Sequence, residues 1–371
     1  MKVKNGMVFD RLEVLAPPYL AETWDNTGLQ LGAKDQTVEA VLITLDVDDR
    51  AVDMALEVGA NLIISHHPLF FNGVKTIDYE SLPGRLIKRL IKHDITVYSA
   101  HTNLDLAPRG LSQYLALELG LSNIKPLGTV KSQQLMKLVV FVPETHLDKV
   151  RQAVNDAGAG FIGNYRDCSF RSPGVGTFRP LEGSQPFLGS TGILEEVAEY
   201  RLEVIVPAEI LSRVVQSMIG AHPYEEVAYD LIPLNNSGET YSYGRQGDLP
   251  EALTLEELAG RVKNLLGVEY VAVSSPELSR VKKICLVPGS GASMIKTALQ
   301  AGCQVMITGD IKYHEAREAL ESGLALIDPG HDGMELLVVD MLTSFLEEIA
   351  RNENWDVKIH GLKEEYLWRK L

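Results

Sequence analysis

Short apolar runs alternate with amphipathic stretches in the first third of the chain. Runs of strand length cover residues 41–47, 61–65 and 95–100. Between them, residues 49–58 and 85–94 place apolar side chains at helical spacing. Such alternation of strand and helix predicts a parallel sheet covered by helices.

The last third of the chain repeats this pattern. Residues 283–288 and 304–310 read as strands, and 289–302 reads as a glycine-led helix. When the two thirds are aligned, His66-His67 stands opposite Gly309-Asp310. Two explanations remain open: one α/β unit was duplicated, or all strand–helix units simply resemble one another.

The middle of the chain has a different order of elements. Strand patterns at 135–143 and 200–207 each end in proline and lead into a helix. A glycine-rich, hairpin-like pair at 164–180 lies between them, and 226–234 reads as a last strand. The resulting β-α-β-β-α-β order is that of a ferredoxin-like domain.

The domain organisation follows from these patterns. Polar or turn-forming residues at 131–134 and 235–238 flank the middle block, and insertions are tolerated at exposed loops. We therefore predict an α/β protein with a two-lobed outer α/β domain formed by both chain ends, 1–133 and 237–371. A ferredoxin-like α+β domain, 134–236, is expected to be inserted into it.

Composition narrows the classes of function. Of 371 residues, 45% are hydrophobic and 23% charged, as in soluble globular proteins. The formal net charge of −15 repels nucleic acid and anionic membranes. Three widely spaced cysteines without CxxC spacing argue against a disulfide framework or a thiolate zinc site. With no signal peptide or 18-residue apolar stretch visible, we expect a cytoplasmic protein without a membrane partner.

Histidines and carboxylates are concentrated after predicted strands, where ligands gather in α/β folds. In SHHPLFF, His66 and His67 leave a strand end and can reach two metals, or are simply polar loop residues. In AHTNLD, His101 suits a metal site, and Asp105 either supports that site or caps a helix. In DPGHDGMELL, a histidine and a glutamate lie at i and i+4, which places two ligands on one helix face or leaves an exposed pair; they are His331 and Glu335.

Two further segments are candidates for the substrate cleft. In TGDIKYHEA, Asp310 and His314 follow a strand; the aspartate can orient a ligand histidine, bind substrate or cap the next helix. In WDNTGL, the run Trp24, Asp25 and Asn26 is either a turn that buries the tryptophan or a wall of the cleft. Imidazoles mixed with carboxylates suit Zn, Mn, Fe or Co, and two such metals can activate water at neutral pH. A GSG turn before a helix is a weaker candidate for a phosphate site.

Several motifs together resemble the NGG-one-interacting-factor-three family, whose bacterial members are often labelled GTP cyclohydrolase I type 2 homologs. They are WDNTGLQLG, SHHPLFF, AHTNLD, TGDIKYHEA and GHxxxE. The middle block, with GVGTFRP, EGSQPFLG and AHPYEEVAYD, resembles the inserted PII/CutA-like domain of the long bacterial members. The resemblance covers nearly the whole chain.

The resemblance implies two divalent metal ions per subunit and two catalytic candidates, His101 for proton transfer and Glu335. It assigns His66 and Asp105 to one metal, His67 and His331 to the other, and Glu335 to both as a bridge. It also implies a homohexameric ring with trimers formed through the PII-like domains. Asp332 and Met334 depart from the residues usual in the family. The ligand positions are kept, so metal binding is expected to change little, and Asp332 can alter local charge and substrate preference.

Two functions from different classes are consistent with these residues. The first is a metal-dependent hydrolase, of cyclohydrolase or phosphoesterase type, that acts on a nucleotide-like substrate. The second is a non-enzymatic, metal-loaded hexameric regulator that senses a small molecule through its PII-like domain. We expect no nucleic-acid partner, because of the charge of −15.

Overall fold

A computed structural model of the chain describes residues 2–274 and 280–363. The chain forms two compact units. One unit is built from both chain ends, Met1–Lys131 and Tyr241–Leu371, and the other is Ser132–Thr240. The segment predicted as an inserted domain, 134–236, lies inside the second unit.

The elements are numbered along the chain. The strands are β1 Gly28–Leu31, β2 Ala40–Thr44, β3 Leu62–Ser65, β4 Thr96–Ser99, β5 Ser122–Pro126, β6 Lys131–Pro143, β7 Ser169–Phe178, β8 Glu195–Pro207, β9 Tyr229–Tyr241, β10 Arg245–Leu253, β11 Ala272–Ser274, β12 Val281–Ser290, β13 Val305–Gly309, β14 Ala325–Asp328 and β15 Lys358–Gly361. The α-helices are α1 Asn5–Leu15, α2 Asp49–Val58, α3 Leu82–Lys92, α4 Thr102–Leu106, α5 Leu111–Glu118, α6 Leu147–Asp156, α7 Leu211–Ala221, α8 Leu255–Leu266, α9 Ile295–Gln300, α10 Tyr313–Glu321, α11 His331–Glu335 and α12 Leu337–Asn352. Within the described residues, each helix is too short or too polar to cross a lipid bilayer.

The first sheet of the end-formed unit has the strand order β1-β4-β3-β2-β15. Its strands run parallel except for β1, which is antiparallel to β4. The predicted strand 41–47 ends three residues early, at Thr44, because the Thr44 hydroxyl donates to the carbonyl of Asp46 and turns the chain. Asp48 then caps α2 by accepting from the amide of Ala51. The early ending leaves Asp46 outside the strand.

The second sheet has the order β11-β14-β13-β12-β10-β5. Both sheets therefore contain three consecutive parallel strands, β2-β3-β4 and β12-β13-β14, as the alternating pattern predicted. The predicted helix at 289–302 is shorter than expected, since β12 continues to Ser290 and α9 begins only at Ile295. The duplication of one α/β unit stays a prediction.

One apolar core joins the two sheets of this unit. Ile43 and Ile64 from the first sheet and Leu286 and Ile307 from the second belong to the same buried cluster, with α1, α5, α8 and α12 packed around it. Burial of such side chains contributes about 25 cal/mol for each Å² removed from water. This shared core holds the carboxyl ends of β3, β4 and β14 in fixed relation to one another.

The unit Ser132–Thr240 has the predicted β-α-β-β-α-β order of elements, in a sheet ordered β7-β8-β6-β9. Helices α6 and α7 cover one face of this sheet and share a core with β6 and β8. The expected hairpin-like pair within 164–180 is wrong: that segment holds only β7, which pairs with β8. Its glycines lie inside the strand, where Gly176 leaves room for the side chain of Glu199 on β8.

Candidate metal centre

Four imidazoles converge where strands of the two sheets end. His66 and His67 follow β3, His101 follows β4, and His331 begins α11 just after β14. The His67 ring lies 5.3 Å from that of His66, 5.6 Å from His101 and 6.1 Å from His331, centroid to centroid. Residues that are distant in sequence are thus brought into one cluster.

The first half of the cluster holds two buried polar atoms without partners. The Nδ1–H of His66 donates to the carbonyl of Ala100 at 2.8 Å, which leaves Nε2 without a proton. That Nε2 lies 3.6 Å from Oδ1 of Asp105, and neither atom finds a hydrogen-bond partner within the described part of the chain. Leaving such atoms buried and unpaired costs about 1–3 kcal/mol each.

A metal ion fits between these two atoms. Ligand bonds of roughly 2.0–2.2 Å at tetrahedral angles place neighbouring ligand atoms about 3.3–3.6 Å apart, a range that includes the observed separation. Burial and the charge of Glu335 raise the pKa of Asp105 well above its usual value, and burial lowers the pKa of His66 to about 3. A cation here would favour the ionised carboxylate and the neutral imidazole that metal binding requires.

In the second half of the cluster, one carboxylate joins two imidazoles. Glu335, which is almost fully buried, accepts from Nε2–H of His67 at 3.1 Å and from Nε2–H of His331 at 3.0 Å. The opposite ring nitrogen of each histidine also meets a carboxylate. Asp46 accepts from His67 at 2.9 Å, and Asp310 accepts from His331 at 2.7 Å.

These carboxylates favour charged imidazoles. Burial alone would lower the pKa of His67, but its bonds to Asp46 and Glu335 raise that pKa to about 10. The bond to Glu335 raises the pKa of His331 to about 9. Burial would raise the pKa of Glu335, but the bonds from His331 and His67 lower it instead. The pocket is therefore built to hold positive charge, which protons or metal ions can supply.

His101 is held by the WDN segment. Its Nδ1–H donates to Asp25 at 2.9 Å, and the other oxygen of Asp25 accepts from the amide of Thr102 at 3.1 Å. Burial would raise the pKa of Asp25, but these bonds lower it to about 2. A ring nitrogen of His101 lies within 4.8 Å of ring nitrogens of both His66 and His67. Asp25 thus fixes the orientation of the His101 ring through Nδ1.

The tryptophan of this segment is exposed, so the alternative in which a turn buries it is wrong. Trp24 is 62% exposed and lies edge-on to His101, with ring centroids 6.1 Å apart. Phe71, 51% exposed, meets the same imidazole edge-on at 5.9 Å. The Asn26 side chain donates to the carbonyl of Phe70 at 2.7 Å and so connects the two aromatic segments.

Of the three other candidates from the sequence, two contact the cluster and one lies away from it. Asp105 lies inside α4 and caps no helix, since Gly110 precedes α5 without a side-chain cap. Asp310 orients His331, while the residue that precedes α10 is Lys312. His314 is exposed on α10, and in the described part of the chain its ring meets Tyr313 and no member of the cluster.

The GSG turn supports the cluster and offers little to a phosphate. The amide of Gly291 is already bonded to the hydroxyl of Thr308 at 2.8 Å. Gly289 has φ +62°, and a Cβ there would lie 2.2 Å from Oε1 of Glu335. The glycine therefore lets the backbone approach the buried carboxylate.

Sequence reasoning missed two residues of the site. Asp46 was placed inside a predicted strand, although an acidic residue just beyond a strand end is a usual support for a metal-ligating histidine. Phe71 belongs to the SHHPLFF motif, but its ring was not connected with His101. A carboxylate near each strand end, and the aromatic residues of the histidine motif, were the signals available.

Together, the fold and the cluster define an α/β protein with a candidate metal centre at the ends of its parallel strands. Two sets of side chains can each offer three ligand atoms within 4.8 Å of one another. They are His66, His67 and His101, and His67, His331 and Glu335.

The chain belongs to the Duf34/NIF3 (NGG1p interacting factor 3) family, whose model matches residues 1–366, and the predicted family is confirmed. It is 42% identical over 360 residues to the GTP cyclohydrolase 1 type 2 homolog of Halalkalibacterium halodurans, covering 97% of this chain and 96% of that protein. It is 39% identical to the protein of the same name from Bacillus subtilis, covering 96% and 95%.

Solved structures agree with this assignment. The Bacillus cereus protein related to NIF3 superposes with a TM-score of 0.90 at 40% identity, covering 100% of both chains. Staphylococcus aureus protein SA1388 superposes with a TM-score of 0.81 at 29% identity, covering 100% of this chain and 99% of that one. The α/β fold predicted from the sequence is therefore confirmed.

Proposed function

We propose that the end-formed unit binds two divalent metal ions and acts as a metal-dependent hydrolase on a nucleotide-like substrate. The observation that carries this proposal is the buried pair His66 Nε2 and Asp105 Oδ1, 3.6 Å apart and without hydrogen-bond partners in the described residues. Buried polar atoms in folded proteins nearly always have a partner, which can be a protein group, an ordered water or an ion, and we propose that a metal ion is the partner here.

The ligand set is the one that the family resemblance implies, and the short distances within the cluster support it. His66 and Asp105 would hold one ion, His67 and His331 the other, and Glu335 would bridge them. The nitrogen and oxygen donors suit Zn, Mn, Fe or Co. Bound ions of this kind polarise substrate oxygens and lower the pKa of water.

Three aspartates orient the histidine rings. Asp46 and Asp310 fix the rings of His67 and His331 by accepting their Nδ1–H, as carboxylates beside metal-ligating histidines commonly do. Asp25 accepts the Nδ1–H of His101 and so leaves Nε2 as the atom that takes or gives a proton.

The nucleotide-like substrate rests on two observations. The relatives at 42% and 39% identity carry the name GTP cyclohydrolase 1 type 2 homolog. Beside His101, Trp24 and Phe71 expose large aromatic rings, against which a flat base can stack. We also propose a cytoplasmic homohexameric ring with trimers through the unit Ser132–Thr240, as the resemblance implies.

The test compares metal content and turnover. Elemental mass spectrometry on the wild type is expected to find about two ions per chain, falling sharply in Glu335→Ala while light scattering shows an unchanged assembly. Glu348→Ala, an exposed carboxylate of α12, is the matched control and should keep both ions. A panel of nucleotides and phosphoesters should be hydrolysed by the wild type and not by Glu335→Ala. Fully loaded protein that turns over none of them would refute the hydrolase.

A second candidate function is a metal-loaded regulator that senses a small molecule through the unit Ser132–Thr240. The observation that favours it is a cavity of about 690 Å³ within that unit, lined by aromatic and charged side chains. This volume lies within the range of about 300–1,000 Å³ usual for ligand sites. A ligand that binds there without changing hydrolysis would support this role.

A further inference from the structure

The floor of the cavity in the unit Ser132–Thr240 is the sheet face opposite the helices. Leu202 of β8 faces α6 and α7 in the buried core, so its neighbours in the strand point the other way. There Arg201 pairs with Ser172, and Glu199 pairs with Gly174. The cavity is lined by all four of these residues.

Two glycines keep this floor open. A Cβ at Gly174 would meet nothing within 4 Å, and one at Gly176 would lie 2.1 Å from Oε2 of Glu199. Glycine weakens a strand interior and often marks a close approach by a ligand or another chain segment. Here the missing side chains create space above β7 and give the Glu199 carboxylate room to lie in it.

Aromatic rings form the walls. Phe178 and Phe187 lie 6.1 and 6.2 Å from Tyr224, centroid to centroid. The segment that carries Phe187 is held in place because the amide of Gln185 donates to both oxygens of Glu225, at 2.9 and 3.1 Å. The apolar wall is therefore part of the folded unit.

An anion and a cation lie side by side on the floor. Glu199 accepts from the Tyr224 hydroxyl at 2.8 Å through Oε1, while Oε2 faces the space beside Gly176. Arg201 lies two residues along the same strand face, so its Cα is about 7 Å from that of Glu199. The Nε of Arg201 binds Glu203 at 3.1 Å. The flat guanidinium has two further nitrogens with which to bind a carboxylate.

We propose that this cavity binds a free α-amino acid with a large apolar side chain. Its carboxylate meets Arg201, its ammonium meets Glu199, and its side chain packs against the rings of Phe178, Phe187 and Tyr224. A polyanion such as a nucleotide fits poorly, because the lining carries three glutamates against two arginines. The proposal rests on the second candidate function, ligand sensing by this unit, and is independent of the metal centre.

Calorimetry on the full-length protein tests the pairing of both charges. We expect L-phenylalanine to bind, and phenethylamine and 3-phenylpropionate, which each lack one charge, to bind at least about tenfold more weakly. Arg201→Met and Glu199→Gln should each weaken the binding of L-phenylalanine by the same factor. Arg171→Met and Glu196→Gln are matched controls, since they change the opposite sheet face, and they should bind as the wild type does.

A second variant tests the cavity without touching its charges. Gly174→Leu adds a side chain into open space, so it should abolish binding while circular dichroism shows an unchanged fold. Failure of the wild type to bind L-phenylalanine, or equal binding of all three compounds, would overturn the proposal. Dissociation of the assembly by Gly174→Leu, with no amino acid bound by the wild type, would make the cavity a contact between copies and also overturn it. Metal content and hydrolysis, measured on the same samples, should not change, so failure here leaves the metal centre to its own test.

Discussion

Replacing Gly289 by alanine should perturb the metal centre, because it adds a Cβ to the backbone next to Glu335. Gly289 adopts φ +62°, in the left-handed region, and a Cβ there would lie 2.2 Å from Oε1 of Glu335. Glu335 is buried and bonded to His67 and His331, so it has little room to move away. Relief of the clash requires the carboxylate to move by at least about 1.2 Å, to the 3.4 Å at which ordinary van der Waals contact begins.

Two terms set the size of the effect. A non-glycine residue in the left-handed region costs about 1–2 kcal/mol. Displacing the Glu335 carboxylate weakens its two charged hydrogen bonds, and a bond of this kind contributes about 1.5–3 kcal/mol. We therefore expect Gly289→Ala to lower the free energy of unfolding by about 3–5 kcal/mol without metal, and to lower metal affinity by at least about tenfold.

Gly59→Ala is the matched control. Gly59 has φ +71° at the end of α2, and a Cβ there would meet nothing within 4 Å. Gly59→Ala should therefore lower the free energy of unfolding only by the cost of the left-handed backbone, and it should keep wild-type metal content. Urea unfolding in EDTA, followed by tryptophan fluorescence, measures both variants in the correct unit, because all three tryptophans, at 24, 355 and 368, lie outside the unit Ser132–Thr240.

The comparison can refute the reasoning directly. If both variants lose the same free energy of unfolding and Gly289→Ala keeps two tightly bound ions, then Glu335 does not occupy the position against Gly289. The bridging role of that carboxylate would then fail with it. An equal loss together with a lowered metal affinity would leave the ligand role and refute only the estimated packing energy.

Three further outcomes are expected. Asp310→Asn should lower metal affinity by about 10–100-fold in chelator competition, whereas Asp94→Asn, at another left-handed aspartate, should not. Trp24→Ala should keep both ions but raise KM for a nucleotide substrate, and Trp24→Phe should restore it in the same steady-state assay. Burial lowers the pKa of His222 below its ordinary 6.5, so the stability that its neutral form contributes is present above pH 6.5 and is lost as pH falls through the lowered value. Protection factors of Ser132–Thr240 peptides in hydrogen exchange, which correct for the pH dependence of the intrinsic exchange rate, should therefore fall below pH 6.5, and much less so in His222→Gln.

The sequence predicts well what local periodicity and strand ends determine. The strand ends before His66 and His101 were placed within one residue, since a run of apolar residues closed by polar ones marks where a buried strand stops. The i, i+4 spacing put His331 and Glu335 on one helix turn, and α11 spans those two residues. Each of these predictions needed only a short window of sequence.

Predictions that needed a partner in space were weaker. Asp46 was counted as strand because its neighbours are apolar, yet a hydroxyl bond from Thr44 ends the strand early. The glycines near 174 looked like a hairpin turn, whereas β7 pairs with a strand that starts only at Glu195. Glycine marks both a turn and a place where a side chain would not fit, and the sequence alone does not separate the two.

The role of each carboxylate shows the same limit in the site itself. Asp25, Asp46 and Asp310 each accept a hydrogen bond from a histidine ring that lies at least 21 residues away. Spacing along the chain cannot pair them, because the pairing arises from the shared core that brings the strand ends together. Once paired, each ring has one nitrogen tied to a carboxylate and the other directed into the cluster, which is the orientation a metal-ligating or proton-transferring imidazole requires. The ligand types were therefore readable from the sequence, while their orientation depends on the tertiary fold.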